Sequence, residues 1–196
     1  MPKISDEKRQ ARRDQILAAA LTCFERHGLH GATMEIIIAE CGLSAGAVYN
    51  YYPSKAALIG AALGQALDGW AADLAPVFAS DPPAPVSRLV AAAVEVAAAA
   101  DEGGRRRRML ELLAWGETQR DEAVRARLRA HYVALAQSFA QALDRARGAT
   151  QLFATPEGER GAAALVMVAM GALARGAVMG PTDNAALAAA LASLSD

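Results

Sequence analysis

Residues 31–58, GATMEIIIAECGLSAGAVYNYYPSKAAL, decide the fold of this chain. The stretch reads as two very short helices joined by a tight turn and followed by the start of a third. Gly42 can supply the positive φ that ends the first helix, and Ser44 is a natural N-cap for the second. Pro53 stops the second helix, and Ser54 caps a longer one. This layout is typical of a helix-turn-helix whose second helix enters the major groove of DNA.

The same residues resemble a known family. Thr33 is followed by IIAECGLS (residues 37–44) and AGAVYNYYPSK (residues 45–55), and the order of G-L-S, V-Y, an aromatic pair and S-K carries the likeness. It looks like the DNA-binding domain of the tetracycline-repressor (TetR) family of bacterial transcription regulators. The specific resemblance covers roughly residues 10–60, and beyond them only the helix pattern and the length are similar.

Three consecutive isoleucines, residues 36–38, depart from the family pattern. Family members usually carry an acidic residue at the position of Ile36 and an alanine at the position of Ile38. Isoleucine is bulky and stiff about its first side-chain torsion. We therefore expect either a second helix tilted against the first or one isoleucine at the surface.

The resemblance implies a set of DNA-contacting residues on and around the second short helix, which we call the recognition helix. Thr33 and Ser44 are helix N-caps, and a capped N-terminus also presents N–H groups to a phosphate. Asn50 can read adenine and Ala47 can meet a thymine methyl, whereas Tyr52 is assigned to packing. The implied contacts are Thr33, Ser44, Ala45, Gly46, Ala47, Tyr49, Asn50, Tyr51 and Lys55, with Tyr49, Tyr51 and Lys55 on phosphates.

The composition favours an all-α protein. Of the 196 residues 54% are apolar and only 5% are aromatic, and no segment alternates with period two. The net charge of −1 weakens a nucleic-acid interpretation based on bulk charge. Residues 1–13, however, hold five basic and two acidic side chains. This basic arm suits phosphate contact, and its alternative is a solvated, frayed terminus.

The pattern predicts about nine helices in two domains. Residues 1–53 form a three-helix helix-turn-helix domain, and residues 54–196 form a helical ligand-binding and dimerisation domain. A proline-rich stretch predicts a loop over residues 75–85, and residues 101–104 predict a break between helices. The predicted helices span about 8–27, 34–41, 45–51, 55–73, 86–100, 105–116, 122–147 and 157–179, with a last helix carrying Leu187, Leu191 and Leu194.

No residue set suggests catalysis or a bound metal. Cys23 and Cys41 lie far apart inside apolar helical patterns, and the sequence has neither a CxxC motif nor a Cys/His cluster. The three histidines have no carboxylate or serine at a telling spacing. We therefore expect a protein that is not an enzyme and that holds no cofactor and no metal.

The sequence predicts a cytoplasmic protein without a membrane segment. Residues 1–15 are polar, so no signal peptide precedes the first helix. The most apolar run, residues 161–174, is too short to span a bilayer and is followed by Arg175.

Helices four to eight hold the candidates for a ligand pocket. Methionine and aromatic side chains adapt to varied apolar ligands, although ordinary core is the alternative for each. Glu117 and Gln119 could add polarity, and residues 105–108 (RRRR) are interpreted as a solvated face. The pocket candidates are Trp70, Met109, Leu113, Trp115, Tyr132, Met167 and Met170.

The sequence thus predicts a ligand-responsive regulator, a repressor released from double-stranded operator DNA by a small hydrophobic or amphipathic effector. We expect a homodimer through about residues 156–195, where Val166, Met170 and Leu173 join the leucines of the last helix in an apolar surface. The alternative is an α-helical small-molecule carrier or protein-interaction module without a specific operator.

Overall fold

A computed structural model describes residues 5–99, 101–146 and 156–180, together with the single positions 183, 186 and 190. The described residues form eight α-helices and no β-strand, which confirms the predicted all-α class. The last predicted helix, with Leu187, Leu191 and Leu194, lies outside the described residues. The helices are α1 (Asp6–Gly31), α2 (Met34–Cys41), α3 (Ala45–Tyr51), α4 (Lys55–Phe78), α5 (Val86–Ala97), α6 (Glu102–Glu117), α7 (Glu122–Ala146) and α8 (Pro156–Met179).

The chain divides into two compact units at Gln65 and Ala66. This division falls inside α4, whereas the boundary predicted from the sequence lies just before α4. The first unit contains α1 to α3 and the start of α4. The second contains the rest of α4 and α5 to α8. The domain limits 1–53 and 54–196 stay a prediction.

The first unit is built on α1. This helix begins earlier than predicted, because Ser5 caps it and accepts a hydrogen bond from the Lys8 amide at 3.4 Å. It also ends later, at Gly31, after a kink at Gly28, whose φ is 67°. Ile16 and Phe24 of α1 are buried in this unit.

The isoleucine run of α2 is divided between core and surface. Ile37 is fully buried, Ile38 is half-buried, and Ile36 is 37% exposed. Three adjacent helical positions point about 100° apart, so they cannot all face one core. The expectation that one isoleucine lies at the surface is confirmed.

The second unit has its core among α4, α5, α7 and α8, where α8 packs against both α5 and α7. The predicted loop over residues 75–85 is wrong in its first part, since α4 continues through Pro76 to Phe78. A proline there removes one backbone hydrogen bond. Burial of Leu74 and the edge-on contact of Phe78 with Phe139, at 5.1 Å between ring centroids, offset this loss.

The predicted break at residues 101–104 is in fact the start of α6. Asp101 Oδ1 accepts a hydrogen bond from the Gly104 amide at 2.7 Å, so the residue read as a breaker is an N-cap. Helix α5 correspondingly ends at Ala97, earlier than predicted. A Cβ atom at Gly104 would lie 2.5 Å from the Cβ and the carbonyl oxygen of Ala99. Only glycine allows this close approach.

The interpretation of residues 105–108 as a solvated face is wrong for Arg107. Arg105 is exposed, but Arg107 is buried, with its guanidinium 5.8 Å from the ring centroid of Trp70. Its Nη1 lies 2.7 Å from Asp73 Oδ2, in an ion pair without the directionality of a hydrogen bond. The sequence places Arg107 at the start of a helix, and only the fold shows that α4 lies over it.

Glu111 is a fully buried carboxyl group that the sequence analysis did not single out. It accepts hydrogen bonds from Trp70 Nε1 at 2.9 Å and from the Tyr132 hydroxyl at 3.2 Å. That hydroxyl accepts in turn from Trp115 Nε1 at 2.7 Å. Loss of hydration in the core raises the pKa of Glu111, against the opposing hydrogen bonds and the charge of Arg107. Glu117, predicted to supply polarity, is only half-buried.

Helix α8 corrects the expectation of an apolar pairing surface. By length and composition the longer segment Arg160–Met179, which extends beyond the apolar run of residues 161–174, could cross a membrane. Val166 and Leu173, predicted to form a pairing surface, are instead buried in the core of the second unit, as in a core helix. Met170 is partly buried against the same core. The large apolar side chains that α8 exposes are Met167, Val178 and Met179.

A pair of glycine substitutions in α6 tests the close approach at its N-terminus. We expect Gly104→Ala to lower the free energy of unfolding by about 1–3 kcal/mol, because the new methyl group meets backbone atoms that cannot move aside. Gly116→Ala is the control, since a Cβ there meets nothing within 4 Å. It should be neutral or stabilising by up to about 1 kcal/mol. Urea unfolding measures both, and equal effects would contradict the proposed clash.

The buried carboxyl predicts a pH-dependent stability. A carboxyl whose pKa is higher in the folded than in the unfolded chain binds its proton more tightly when folded. The contribution of Glu111 to the free energy of unfolding is therefore complete below the ordinary glutamate pKa. It is lost as the pH rises through the pKa that Glu111 has in the folded chain. Glu111→Gln should remove this loss and be more stable than the parent chain at the upper end of the range. Urea unfolding from about pH 5 to pH 8 measures the difference, with the exposed Glu95→Gln as control. Parallel curves for parent and Glu111→Gln would contradict the expectation.

Candidate nucleic-acid interface

The two short helices of the first unit have the predicted limits and the predicted caps. Thr33 Oγ1 accepts a hydrogen bond from the Ile36 amide at 3.3 Å and starts α2. Gly42 ends α2 with φ 68°. Ser44 Oγ accepts from the Ala47 amide at 3.3 Å and starts α3. The sequence prediction of this helix-turn-helix is confirmed to the residue.

The recognition helix α3 has one anchored face. Val48 is fully buried, and Tyr52, just after the helix, is buried with its hydroxyl 3.5 Å from the Arg13 carbonyl oxygen. This confirms the assignment of Tyr52 to packing. With that face held, the opposite face is open to solvent, and its exposed residues include Ala45, Gly46, Tyr49 and Asn50.

The exposed face of α3 is unusually bare at its N-terminal end. A Cβ atom built at Gly46 meets nothing within 4 Å, and Ala45 beside it carries only a methyl group. Small side chains here allow another surface to approach the helix backbone closely. Tyr49 and Asn50 follow with larger polar groups. This is a suitable arrangement for base edges at one end and phosphates at the other.

Basic residues of α1 lie beside the recognition helix. A concave surface of about 980 Å³ is lined on the α3 side by Ala47, Asn50 and Tyr51, and on the α1 side by Lys8, Arg9, Arg12 and Arg13 among others. The Arg13 guanidinium lies 6.0 Å from the ring centroid of Tyr51, a cation–π distance. We call this concave surface the α1–α3 cleft.

The position of Arg12 in the cleft is set by a relay of hydrogen bonds. Arg12 Nη1 donates to Gln15 Oε1 at 2.7 Å, and Gln15 Nε2 donates to the Cys41 carbonyl oxygen at 3.1 Å. The side chain is thereby tied to the end of α2. From Asp6 onward the predicted basic arm is helix, and its cations are held in fixed register beside α3.

Two other predicted contact positions carry constraints of their own. Lys55 is half-buried, and its Nζ donates to the His30 carbonyl oxygen at 3.3 Å, so it must give up or share this bond to meet a phosphate. At the start of α2, a hydrogen bond from the Thr33 side chain lowers the pKa of Glu35. The ionised Glu35 opposes a phosphate near Thr33.

The structure therefore brings together only part of the predicted DNA-contacting set. Ala47, Asn50 and Tyr51 line the α1–α3 cleft, Ala45, Gly46 and Tyr49 are on the exposed part of α3, and Ser44 caps it. Thr33 and Lys55 lie outside the cleft lining. Arg9, Arg12 and Arg13 were found by the sequence only as part of a charge excess.

The seven predicted ligand-pocket residues do not form one pocket. Trp70, Trp115 and Tyr132 belong to the hydrogen-bonded network around Glu111. Met109 and Leu113 line a separate cavity of about 360 Å³. Met170 packs against the core, and Met167 is 66% exposed. The described residues contain no group of three or more His, Cys, Asp or Glu side chains placed to hold a metal.

Comparison with known proteins identifies the first unit. Residues 16–62 match the family model described as bacterial regulatory proteins, tetR family. The regulator RutR of Escherichia coli K12 is 44% identical over 64 residues, which are 33% of this chain and 30% of RutR. The regulator BetI of Vibrio vulnificus is 39% identical over 59 residues, 30% of this chain and 29% of BetI. Residues 16–62 are thus a TetR-family N-terminal domain.

Solved structures with a similar fold cover nearly the whole chain. Salmonella enterica GusR superposes with a TM-score of 0.75 at 22% identity, covering 98% of each chain. A TetR regulator from Haloarcula marismortui gives 0.76 at 21% identity, over 94% and 95% of the two chains. SmeT in complex with triclosan gives 0.69 at 24% identity, over 91% and 88%. At these identities the likeness shows the fold alone, and the aligned part spans only about a third of the curated relatives.

Two substitutions in the α1–α3 cleft should separate phosphate contact from base reading. Arg9→Ala should weaken binding to every duplex about equally and reduce the salt slope by about one, as the loss of one phosphate contact does. Asn50→Ala should instead cost about 1–3 kcal/mol at a single base pair and relax the preference there. Fluorescence anisotropy against a set of single-base operator variants measures both effects.

Arg88→Ala is the matched control, because Arg88 carries the same charge on α5 of the second unit. It should leave both quantities unchanged. A uniform loss with Asn50→Ala across all operator variants would remove this residue from base reading.

Proposed function

We propose that this chain is a ligand-responsive, homodimeric DNA-binding transcription regulator that acts as a repressor in the cytoplasm. The observation that carries the proposal is the α1–α3 cleft. It combines an exposed recognition helix, capped and anchored from behind, with four cations of α1 held beside it. The match of residues 16–62 to the TetR-family model supports the same function.

Cleft chemistry favours duplex DNA over a carrier or protein-interaction role. A carrier needs an enclosed apolar site, whereas the cleft is lined by arginine, lysine, asparagine and tyrosine. The cations supply the salt-dependent, sequence-independent part of DNA affinity, and the face of α3 supplies the part that depends on sequence. The overall charge of −1 does not oppose this, since the cations are concentrated on one face.

Specific binding requires two copies, because a helix of seven residues covers only a few base pairs. A two-fold dimer would place two recognition helices on half-sites about 34–36 Å apart or a multiple of that. We place the dimer contact in residues 156–195. Within the described part of that segment, Met167, Val178 and Met179 of α8 are the large apolar side chains left exposed.

Ligand response is proposed through α4, a single helix that begins directly after the recognition helix and contributes Trp70 and Leu74 to the second unit. An effector bound in the second unit that shifts α4 would change operator affinity. A coupling of about 1–3 kcal/mol is enough for a change of roughly 5- to 150-fold. The neighbour SmeT, solved with triclosan, supports a small-molecule effector.

Duplex binding tests the proposal directly. Anisotropy titrations with DNA flanking the chain's own gene should show saturable binding whose affinity falls linearly with the logarithm of salt concentration. Light scattering at micromolar concentration should give a dimer. Binding without salt dependence, or no binding at all, would favour the carrier or interaction module, and a monomer would contradict the paired half-sites.

A further inference from the structure

A groove along α4 and α7 of the second unit has no part in the functions described so far. Its volume is about 850 Å³, which is within the range of small-molecule sites. None of the seven residues predicted for a ligand pocket lines it. We call it the α4–α7 groove.

The α4–α7 groove is lined by small and apolar side chains. Ala71 and Ala75 lie on one face of α4, and Ala79, just after the end of the helix, continues that spacing through a hydrogen bond from its amide to the Ala75 carbonyl oxygen at 2.9 Å. All three are exposed. Phe78 and the buried Leu135 complete the apolar lining. A slender hydrocarbon chain fits such a surface better than a broad ring system does.

One carboxylate oxygen near the end of α7 has no hydrogen-bond partner among the described residues. Asp144 lines the groove, and its Oδ1 is buried without a hydrogen bond to any described residue. A buried acceptor in this state is unfavourable, and a donor supplied by a ligand would relieve it. The contrast with Glu111 is direct, since both oxygens of Glu111 accept hydrogen bonds.

The neighbouring polar groups leave Asp144 available. Arg145 also lines the groove but is exposed, and among the described contacts it forms no ion pair with Asp144. Consecutive helical residues do not face each other, which accounts for this separation. The Ser138 hydroxyl already donates to the Ala134 carbonyl oxygen at 3.1 Å.

The far end of the groove is polar but uncharged. His131 lies thirteen residues before Asp144, about 20 Å along α7. Burial lowers the pKa of His131, against the opposing charge of Asp68, which favours the neutral imidazole. Its Nε2 is buried without a partner in the described part of the chain. A neutral imidazole does not repel a cation, so His131 adds no positive charge that would oppose the attraction of Asp144 for a cation.

We propose that the α4–α7 groove binds an amphipathic primary amine, with the hydrocarbon chain along the alanines of α4 and the ammonium group donating to Asp144. The claim that the amine acts as an effector rests on the proposed function. The claim that the amine binds in this groove rests on the groove alone.

Calorimetry with three probes of equal chain length tests the head group. Dodecylamine, dodecanol and dodecanoate are titrated into the full chain below the concentrations at which they form micelles. Dodecylamine should bind most tightly and dodecanoate most weakly. Asp144→Asn should weaken dodecylamine at least about 10-fold, the lower end expected for loss of a charged hydrogen bond, and should change dodecanol little. Dodecanoate binding as tightly as dodecylamine, or an unchanged dodecylamine affinity in Asp144→Asn, would overturn the proposal.

A second substitution tests the location. Ala75→Trp fills the groove and should abolish binding of dodecylamine and dodecanol, whereas Ala72→Trp, exposed on the same helix but not in the lining, should leave both intact. Circular dichroism checks that each variant is folded. Binding that survives Ala75→Trp would place the amine elsewhere.

Titrations with operator DNA keep the two proposals apart. Saturation with dodecylamine should lower operator affinity of the parent chain by at least about 5-fold and leave that of Ala75→Trp unchanged. Unchanged operator affinity in the parent would overturn the effector role. Salt-dependent duplex binding without amine binding removes the groove proposal alone. Amine binding that follows the predicted variant pattern, without any duplex binding, removes the regulator proposal alone.

Discussion

The burial of Val48 and Tyr52 is the constraint on which the DNA-binding end of this protein depends. A helix of seven residues is not stable by itself in water, because nucleation costs more than so few hydrogen bonds return. These two side chains, together with the Ser44 cap, hold α3 in place from one side only. The side chains on the opposite side of α3 are not needed for packing, so they are available for contact with DNA.

The short length and the composition of α3 also explain why the cations are on α1. The recognition helix has no basic residue, so phosphate attraction has to come from a neighbouring element. Helix α1 is long, begins with a polar stretch and is fixed by its own buried face, Ile16 and Phe24 among others. Its first turns can therefore display Arg9, Arg12 and Arg13 without any cost in packing.

Two carboxyl groups in the second unit illustrate how a fold assigns different roles to one chemistry. Glu111 has each oxygen bonded by an aromatic donor and joins α4, α6 and α7 in one network. Breaking such a network by removing one partner is costly, which suits a structural role. Asp144 carries an oxygen with no donor among the described residues and lies in an open groove. The first arrangement is complete within the chain, and the second is completed by a ligand in our proposal.

The sequence by itself determined the all-α class, the limits of α2 and α3 and their caps Thr33 and Ser44, because these depend on interactions within four positions along the chain. Three residues were predicted wrongly from the sequence, because their roles depend on packing partners that it does not show. Asp101 was read as a helix breaker and is a cap, and Pro76 was read as a loop residue and lies in a helix. Arg107 was read as solvated and is buried. Only the tertiary structure decided that Val166 and Leu173 are core. It also decided that Trp70 and Tyr132 donate hydrogen bonds to Glu111, and that Ala71 and Ala75 of α4 line the same groove as Asp144. Those relations join residues far apart in sequence, and no local periodicity encodes which helix faces which.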